Sequence, residues 1–143
     1  SNFLGTYYES PLWDGLRQRV IAAAMAYRGV QYRWGGKSPL GIDCSGLVFM
    51  AYFLNGLLLY RDAKIVPGFP VHAIPLHKIA PADLLFFPGH VALYLGEGKY
   101  LHATARSGSD GVVINSLYPE SADYREDLAH SIIEAGSVFS LEV

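Results

Sequence analysis

The stretch His90-Val91-Ala92-Leu93-Tyr94-Leu95-Gly96-Glu97-Gly98-Lys99-Tyr100-Leu101-His102-Ala103-Thr104 decides the fold. It reads as two short strands, 90–95 and 99–104, joined by a turn over Gly96-Glu97-Gly98. With Leu95 facing Lys99, His102 opposes Ala92 and His90 opposes Thr104. His90 and His102 then share one face as diagonal neighbours, about 7–8 Å apart at the backbone and closer through their rings. A slip of one residue would send them to opposite faces.

Outward from this hairpin the same period continues. Asp83–Phe87 and Val112–Asn115 read as further strands, bounded by Pro88-Gly89 and by the Ser/Gly-rich turn at 107–111. The tail alternates Phe139, Leu141 and Val143 with Ser140 and Glu142, which suits a final half-exposed strand. Residues 121–130 suit one short helix. Toward the N-terminus the period is helical. Ser10 and Pro11 open a helix that carries Leu12, Leu16, Val20, Ala24 and Tyr27 on one face and stops near Arg28 and Gly29. Asp43 caps a second helix, Cys44 to Asn55, that is apolar on every side and therefore buried and central. Residues 30–43 read as a loop, with Gly35-Gly36 and Pro39-Leu40-Gly41 as turn signals. Residues 57–82, with Pro67, Pro70, Pro75 and Pro81, read as an extended crossing loop. Helices first and strands after give an α+β fold with an antiparallel sheet.

The chain has 143 residues, one domain by size, and roughly two thirds of its unfolded surface can be buried. Hydrophobic residues make up 51% and charged ones 17%, which excludes intrinsic disorder. The net charge of −2, with no Lys/Arg run, gives nucleic-acid binding no electrostatic basis. The longest apolar stretch, Leu47 to Leu59, is broken by Asn55-Gly56 and is too short to insert across a bilayer. No signal peptide is visible, and Ser rather than Met at position 1 suits a processed or excised domain. A single cysteine, Cys44, excludes an internal disulfide framework and a multi-cysteine zinc site.

Cys44 has two readings. A free cysteine is most often a small buried hydrophobe. In the first turn of a capped helix, however, unpaired amides and the helix dipole favour a thiolate and lower its pKa, with the Asp43 carboxylate opposing them. A nucleophilic cysteine needs a base and a group that orients the base. The hairpin offers His90 and His102 as a pair, whereas His72, His77 and His130 lie in a Pro-rich loop and near a chain turn, where structural or exposed roles suffice.

Five motifs carry a resemblance. Tyr32-Arg33-Trp34-Gly35-Gly36, Asp43-Cys44-Ser45-Gly46-Leu47, Ala82-Asp83-Leu84-Leu85-Phe86-Phe87, Gly89-His90-Val91-Ala92-Leu93-Tyr94-Leu95-Gly96 and Tyr100-Leu101-His102-Ala103-Thr104 resemble, in order and spacing, the NlpC/P60 family of papain-like cysteine peptidases that cut bacterial cell-wall peptides. Arg61-Asp62-Ala63 further resembles the γ-D-glutamyl-L-diamino acid endopeptidase subgroup. The resemblance covers residues 17–143 as the catalytic domain and leaves 1–16 as an N-terminal extension. It implies a papain-like fold in which the central helix packs on the sheet. It implies Cys44 as nucleophile, His90 as general base and His102 as the orienting third member. Tyr32 and the Cys44 amide would form the oxyanion hole. Asp43 would bind the free amino end of the substrate, Ser45 would contact its peptide, and Asp62 would belong to the same groove. It implies a murein peptide as the partner, no cofactor and no metal, and SH3-like domains that would lie outside this chain. Location would be the bacterial cell envelope or beyond it for wall turnover, or the cytoplasm for recycling of wall fragments. A wall-binding domain without catalysis, and a murein amidase or acyltransferase of the same fold, are the alternatives. Cys44, His90 and His102 occurring together argue against the first, and their order within these motifs argues against the second.

Overall fold

The computed structural model describes residues 11–33, 36–38, 41–105 and 110–139. Ser10, Trp34, Gly35 of the Gly35-Gly36 turn signal, Pro39 and Leu40 of the Pro39-Leu40-Gly41 turn signal, residues 107–109 and the tail residues 140–143 lie outside them. Helix α1 spans Pro11–Met25, so the expected boundary at residue 16 falls inside it. A small hairpin, β1 (Lys37–Ser38) and β2 (Gly41–Ile42), precedes α2 (Cys44–Phe53). Then come β3 (His72–Ile74), a single 3₁₀ turn (Leu76–Lys78), β4 (Leu84–Phe87), β5 (His90–Gly96), β6 (Lys99–Thr104), β7 (Gly111–Ser116), α3 (Glu126–Ala129) and β8 (Glu134–Ser137). The six strands β3 to β8 form one antiparallel sheet in the order β3-β8-β4-β5-β6-β7.

The α+β class holds, and three local expectations change. The crossing loop is not wholly irregular. His72–Ile74 pairs with β8 as an edge strand, where the neighbouring prolines leave few amides unpaired. A further strand, Glu134–Ser137, forms ahead of the expected tail strand, most of which lies outside the described residues. It is chosen because Ala135 and Gly136 slot between β3 and β4, and a Cβ at Gly136 would press on Val71 and Phe86. The β5–β6 turn has two central residues, Glu97 and Gly98, both at positive φ, as a type I′ turn requires. Gly96 therefore pairs with Lys99, and a bulge at Leu95 restores the partnership of Tyr94 with Tyr100 and Leu93 with Leu101. The two departures cancel, so the register at the histidines is the one expected.

Alternation gives the sheet two covered faces. Leu84, Phe86, Val91, Leu93, Leu101 and Ala103 join the main core with Leu47, Val48, Ala51 and Tyr52 of α2, which packs on β5 and β6 and against α1. On the other face Leu85, Phe87, Ala92 and Tyr100 form a smaller core covered by Leu117, Leu128 and Ile132. A polar staple fastens α1 to the sheet. Arg17 donates to the Asp83 carboxylate at 2.9 Å and to the Pro81 carbonyl at 2.7 Å, with its guanidinium 3.9 Å from the Phe139 ring centroid. Ser137 and the Ala80 amide donate to the same carboxylate. Burial pushes the Asp83 carboxyl up, and Ser137, Arg17 and Ala80 offset it.

Arg17 and Asp83 are both nearly fully buried, so removing one strands the other. Arg17→Met should cost about 3–5 kcal/mol, whereas Arg17→Met with Asp83→Leu should recover most of that. Denaturant unfolding at neutral pH reads both. A single variant no less stable than the double would show that the pair is uncoupled.

Candidate active site

Cys44 is the first residue of α2, and the cap that starts the helix also builds its surroundings. The Asp43 carboxylate accepts from the Gly46 amide at 2.6 Å. A Cβ at Gly46 would strike the Gly36 carbonyl and crowd the Asp43 carboxylate, which explains the glycine. Arg61 closes the cluster from the crossing loop. Its guanidinium lies 3.1 Å from Asp43 Oδ1 and donates to Ser45 Oγ at 2.6 Å and to the Gly36 carbonyl at 3.3 Å. Tyr32 forms a parallel bridge with Ile42, which brings its ring to the same corner. Its hydroxyl pKa is raised by burial first, then by Cys44 and Asp43.

The thiol does not follow the helix-dipole expectation. Cys44 is only 9% exposed. Burial raises its pKa most strongly, and the Asp43 carboxylate adds to the rise. The backbone amides of Val91, Ser45 and Cys44 itself pull the other way without overcoming the rise. The resting group is a neutral thiol. The helix start still supplies donors, but desolvation outweighs them.

His90 and His102 share a face, as their register requires, and it is the face away from α2. Their nitrogens Nε2 and Nδ1 lie 2.8 Å apart, with rings nearly perpendicular. His102 Nε2 meets Asn115 Oδ1 at 2.7 Å, and Asn115 Nδ2 donates to the Asp123 carbonyl at 2.9 Å. That carbonyl accepts only, so it fixes which end of the amide is oxygen. The oxygen in turn requires His102 Nε2 to carry the proton. Neutral His102 then offers Nδ1 as an acceptor, His90 donates through Nε2, and the lone pair of His90 is left on Nδ1. Burial lowers both imidazoles, His90 to about 4 with Arg125 adding to the fall, and His102 to about 3. Phe87 packs on His90 and Tyr100 on both Phe87 and His102, so two aromatic rings flank the couple.

The thiol reaches the start of β5, the strand that His90 opens. The Val91 amide reaches the Cys44 thiol, and Gly89 lines the same open groove as Cys44. That groove, about 640 Å³, also carries Asp43, Ser45, Arg61 and Asp62. A narrower apolar pocket formed by Val48, Leu59, Phe69, Val71 and Val91 adjoins it at Ser45, Asp62 and Lys64. Cys44, Asp43, Ser45 and Asp62 are thus brought to one groove, with Tyr32 beside it, and His90 is joined to His102 behind it. Three residues escaped sequence reasoning: Arg61 as the partner of Asp43, Asn115 as the partner of His102, and Arg125 beside the couple. The signal for Asn115 was present, since a β7 strand antiparallel to β6 places a polar residue where apolar ones precede it. Among the described residues no group of three or more His, Cys, Asp or Glu side chains is arranged to hold a metal.

The model of the NlpC/P60 family matches residues 29–127. A protein named dipeptidyl-peptidase 6 from Lysinibacillus sphaericus is 54% identical over 123 residues, covering 86% of this chain and 45% of that protein. A γ-D-glutamyl-L-lysine dipeptidyl-peptidase from Bacillus subtilis is 36% identical over 101 residues, covering 62% of this chain and 32% of that protein. Among solved structures, an NlpC/P60 family protein from Bacillus cereus superposes with a TM-score of 0.68 at 26% identity, over 87% of this chain and 40% of that one. The chain spans less than half the length of each of these relatives.

The chain of hydrogen bonds makes a spectroscopic prediction. At neutral pH both rings should show the neutral Nε2–H tautomer in imidazole ¹⁵N spectra. Asn115→Leu leaves the His102 Nε2–H buried without an acceptor, at a cost of about 1–3 kcal/mol. It should therefore give mixed tautomers at both rings. A wild-type spectrum showing Nδ1–H at His90 would contradict the assignment.

Proposed function

The chain belongs to the NlpC/P60 family, and from that premise we propose that it is a cysteine endopeptidase hydrolysing the γ-D-glutamyl–diamino acid bond of bacterial cell-wall peptides. One observation carries the reading: an imidazole couple at 2.8 Å, ordered by Asn115, opens β5, the strand whose Val91 amide reaches the sole cysteine at the start of α2. The name of the Bacillus subtilis relative supports the substrate class, and that of the Lysinibacillus sphaericus relative supports a peptidase.

In this mechanism Cys44 Sγ attacks the γ-carbonyl carbon of the D-glutamyl residue while His90 Nδ1 takes the thiol proton. The carbonyl becomes an oxyanion held by the Cys44 amide and the Tyr32 hydroxyl. His90, now an imidazolium, keeps its Nε2–H on His102 Nδ1. The tetrahedral intermediate collapses, the C–N bond breaks, and His90 returns its proton to the leaving amine of the diamino acid. A water then attacks the thioester, His90 again serves as base, and the γ-D-glutamyl carboxylate departs with the thiol restored. Asp43, Ser45 and Asp62 line the side of the groove that takes the amino-terminal part of the substrate. Arg61 already meets the Asp43 carboxylate, so a substrate ammonium would share that charge rather than find it bare. The cell wall as the site of action, and SH3-like domains in a longer protein, accompany this reading.

The test is incubation with L-Ala-γ-D-Glu-diaminopimelate and with the corresponding lysine tripeptide, with products weighed by mass spectrometry. L-Ala-γ-D-Glu plus the free diamino acid is the expected pair. Cys44→Ala should lower kcat by several orders of magnitude with the fold retained. Undiminished cleavage by that variant, or cleavage at the glycan–peptide amide instead, would refute the reading.

A further inference from the structure

The face of the sheet that carries the histidine couple is covered by residues 117–132, a segment that brings a buried cation with it. Arg125, only 9% exposed, precedes α3 in an extended conformation. Its Nη1 donates to Thr104 Oγ1 at 2.9 Å. Thr104 ends β6 two residues after His102, on the same face. Its Nε and Nη2 form a fork on the Asp127 carboxylate at 3.1 and 2.6 Å. The segment is pinned at its other end as well, since Asn115 holds the Asp123 carbonyl and Tyr124 bridges Ser116. A fork of this kind fixes a guanidinium in orientation as well as position. Asp127 is the solvent-facing member, with its side chain 56% exposed.

We propose that the Arg125–Asp127 ion pair, fastened to Thr104 on the face that carries His102, biases the charge of the imidazole couple, with Arg125 adding to the burial that keeps the rings uncharged and Asp127 limiting that bias. The assignment of a catalytic role to the couple rests on the function proposed above, but the electrostatic coupling does not. Arg125 and Asp127 are positioning residues here, since neither touches the reacting atoms. Both imidazoles feel them with opposite signs, Arg125 opposing protonation and Asp127 favouring it. The groups facing the couple from the surrounding elements can be named. Phe87 comes from β4, Tyr100 from β6 and Asn115 from β7, with Asp123, Arg125 and Asp127 from the covering segment. Of these only Arg125 and Asp127 carry a full charge that reaches both rings. The Tyr100 hydroxyl is buried without a hydrogen-bonding partner among the described residues, and its pKa is pushed up to about 12, so it stays neutral and adds no charge. The pair therefore helps to set whether the nucleophile waits as a neutral thiol beside a neutral base or as an ion pair.

The experiment is an imidazole ¹⁵N titration of the full chain and of Arg125→Gln and Asp127→Asn. Removing the buried cation should move the His90 midpoint up by at most about one pH unit, and removing the exposed, screened anion should move it down by less. Opposite displacements support the proposal, because a purely structural loosening would move both variants the same way. Midpoints that stay in place, or that move together, overturn it. Should Arg125→Gln fail to fold, Asp127→Asn alters an exposed side chain and still decides the sign: a fall supports the proposal, and no fall overturns it. Cleavage of the tripeptides by the same wild-type sample is scored separately. Opposite displacements in a protein that cleaves nothing would sink the peptidase reading and leave the coupling standing. Fixed midpoints in a protein that cleaves would do the reverse.

Discussion

An imidazole with no exposed surface must find a partner for each of its nitrogens inside the protein, and His102 places that demand in the middle of the sheet. Its two bonds, to His90 and to Asn115, tie β5, β6 and β7 into one side-chain chain that ends on a backbone carbonyl. A neutral ring can donate at only one nitrogen, so the carbonyl of Asp123 fixes the tautomer of His102, and through it that of His90. The lone pair on His90 Nδ1 is thus set by an atom at the far end of a relay. The rest of the fold serves the same geometry. The bulge at Leu95 keeps the strands in register, the small core of Phe87 and Tyr100 packs against the couple, and α2 delivers the thiol to the start of β5.

Dryness has a consequence for charge. Burial raises the pKa of Cys44 and lowers those of His90 and His102, and all three effects favour the uncharged form. A proton that moves from thiol to imidazole therefore moves uphill at rest. The donors at the helix start are best used later, when negative charge develops on a substrate oxygen. Arg61 adds to the polar side of this division. It neutralises Asp43, so the cap that starts α2 does not stand as a bare anion next to the sulfur.

Much of this was legible in the sequence, and the limits have physical causes. The central helix, its Asp43 cap and the histidine hairpin follow from period and cap chemistry, which act over a few residues. The hairpin register came out right although the turn was misjudged, because a shorter type I′ turn and a compensating bulge cancel beyond Tyr94. The thiol was misjudged in direction, since the dipole is visible from sequence and desolvation is not. Arg61, Asn115 and Arg125 were missed because each acts at long range. Arg61 comes from a loop with no period, and Arg125 meets Thr104 across 21 positions of chain. The strand Glu134–Ser137 was missed because its partners β3 and β4, not its own alternation, choose it.

The claim on which the site depends is that thiol and imidazole couple wait uncharged. The rate of alkylation of Cys44 by iodoacetamide, followed from about pH 4 to pH 10, measures the thiolate directly. A neutral resting pair predicts slow reaction near neutral pH and a single rise at alkaline pH, above the ordinary thiol range. A rate already at its plateau below about pH 7, the behaviour of a thiolate stabilised by a neighbouring imidazolium, would contradict it.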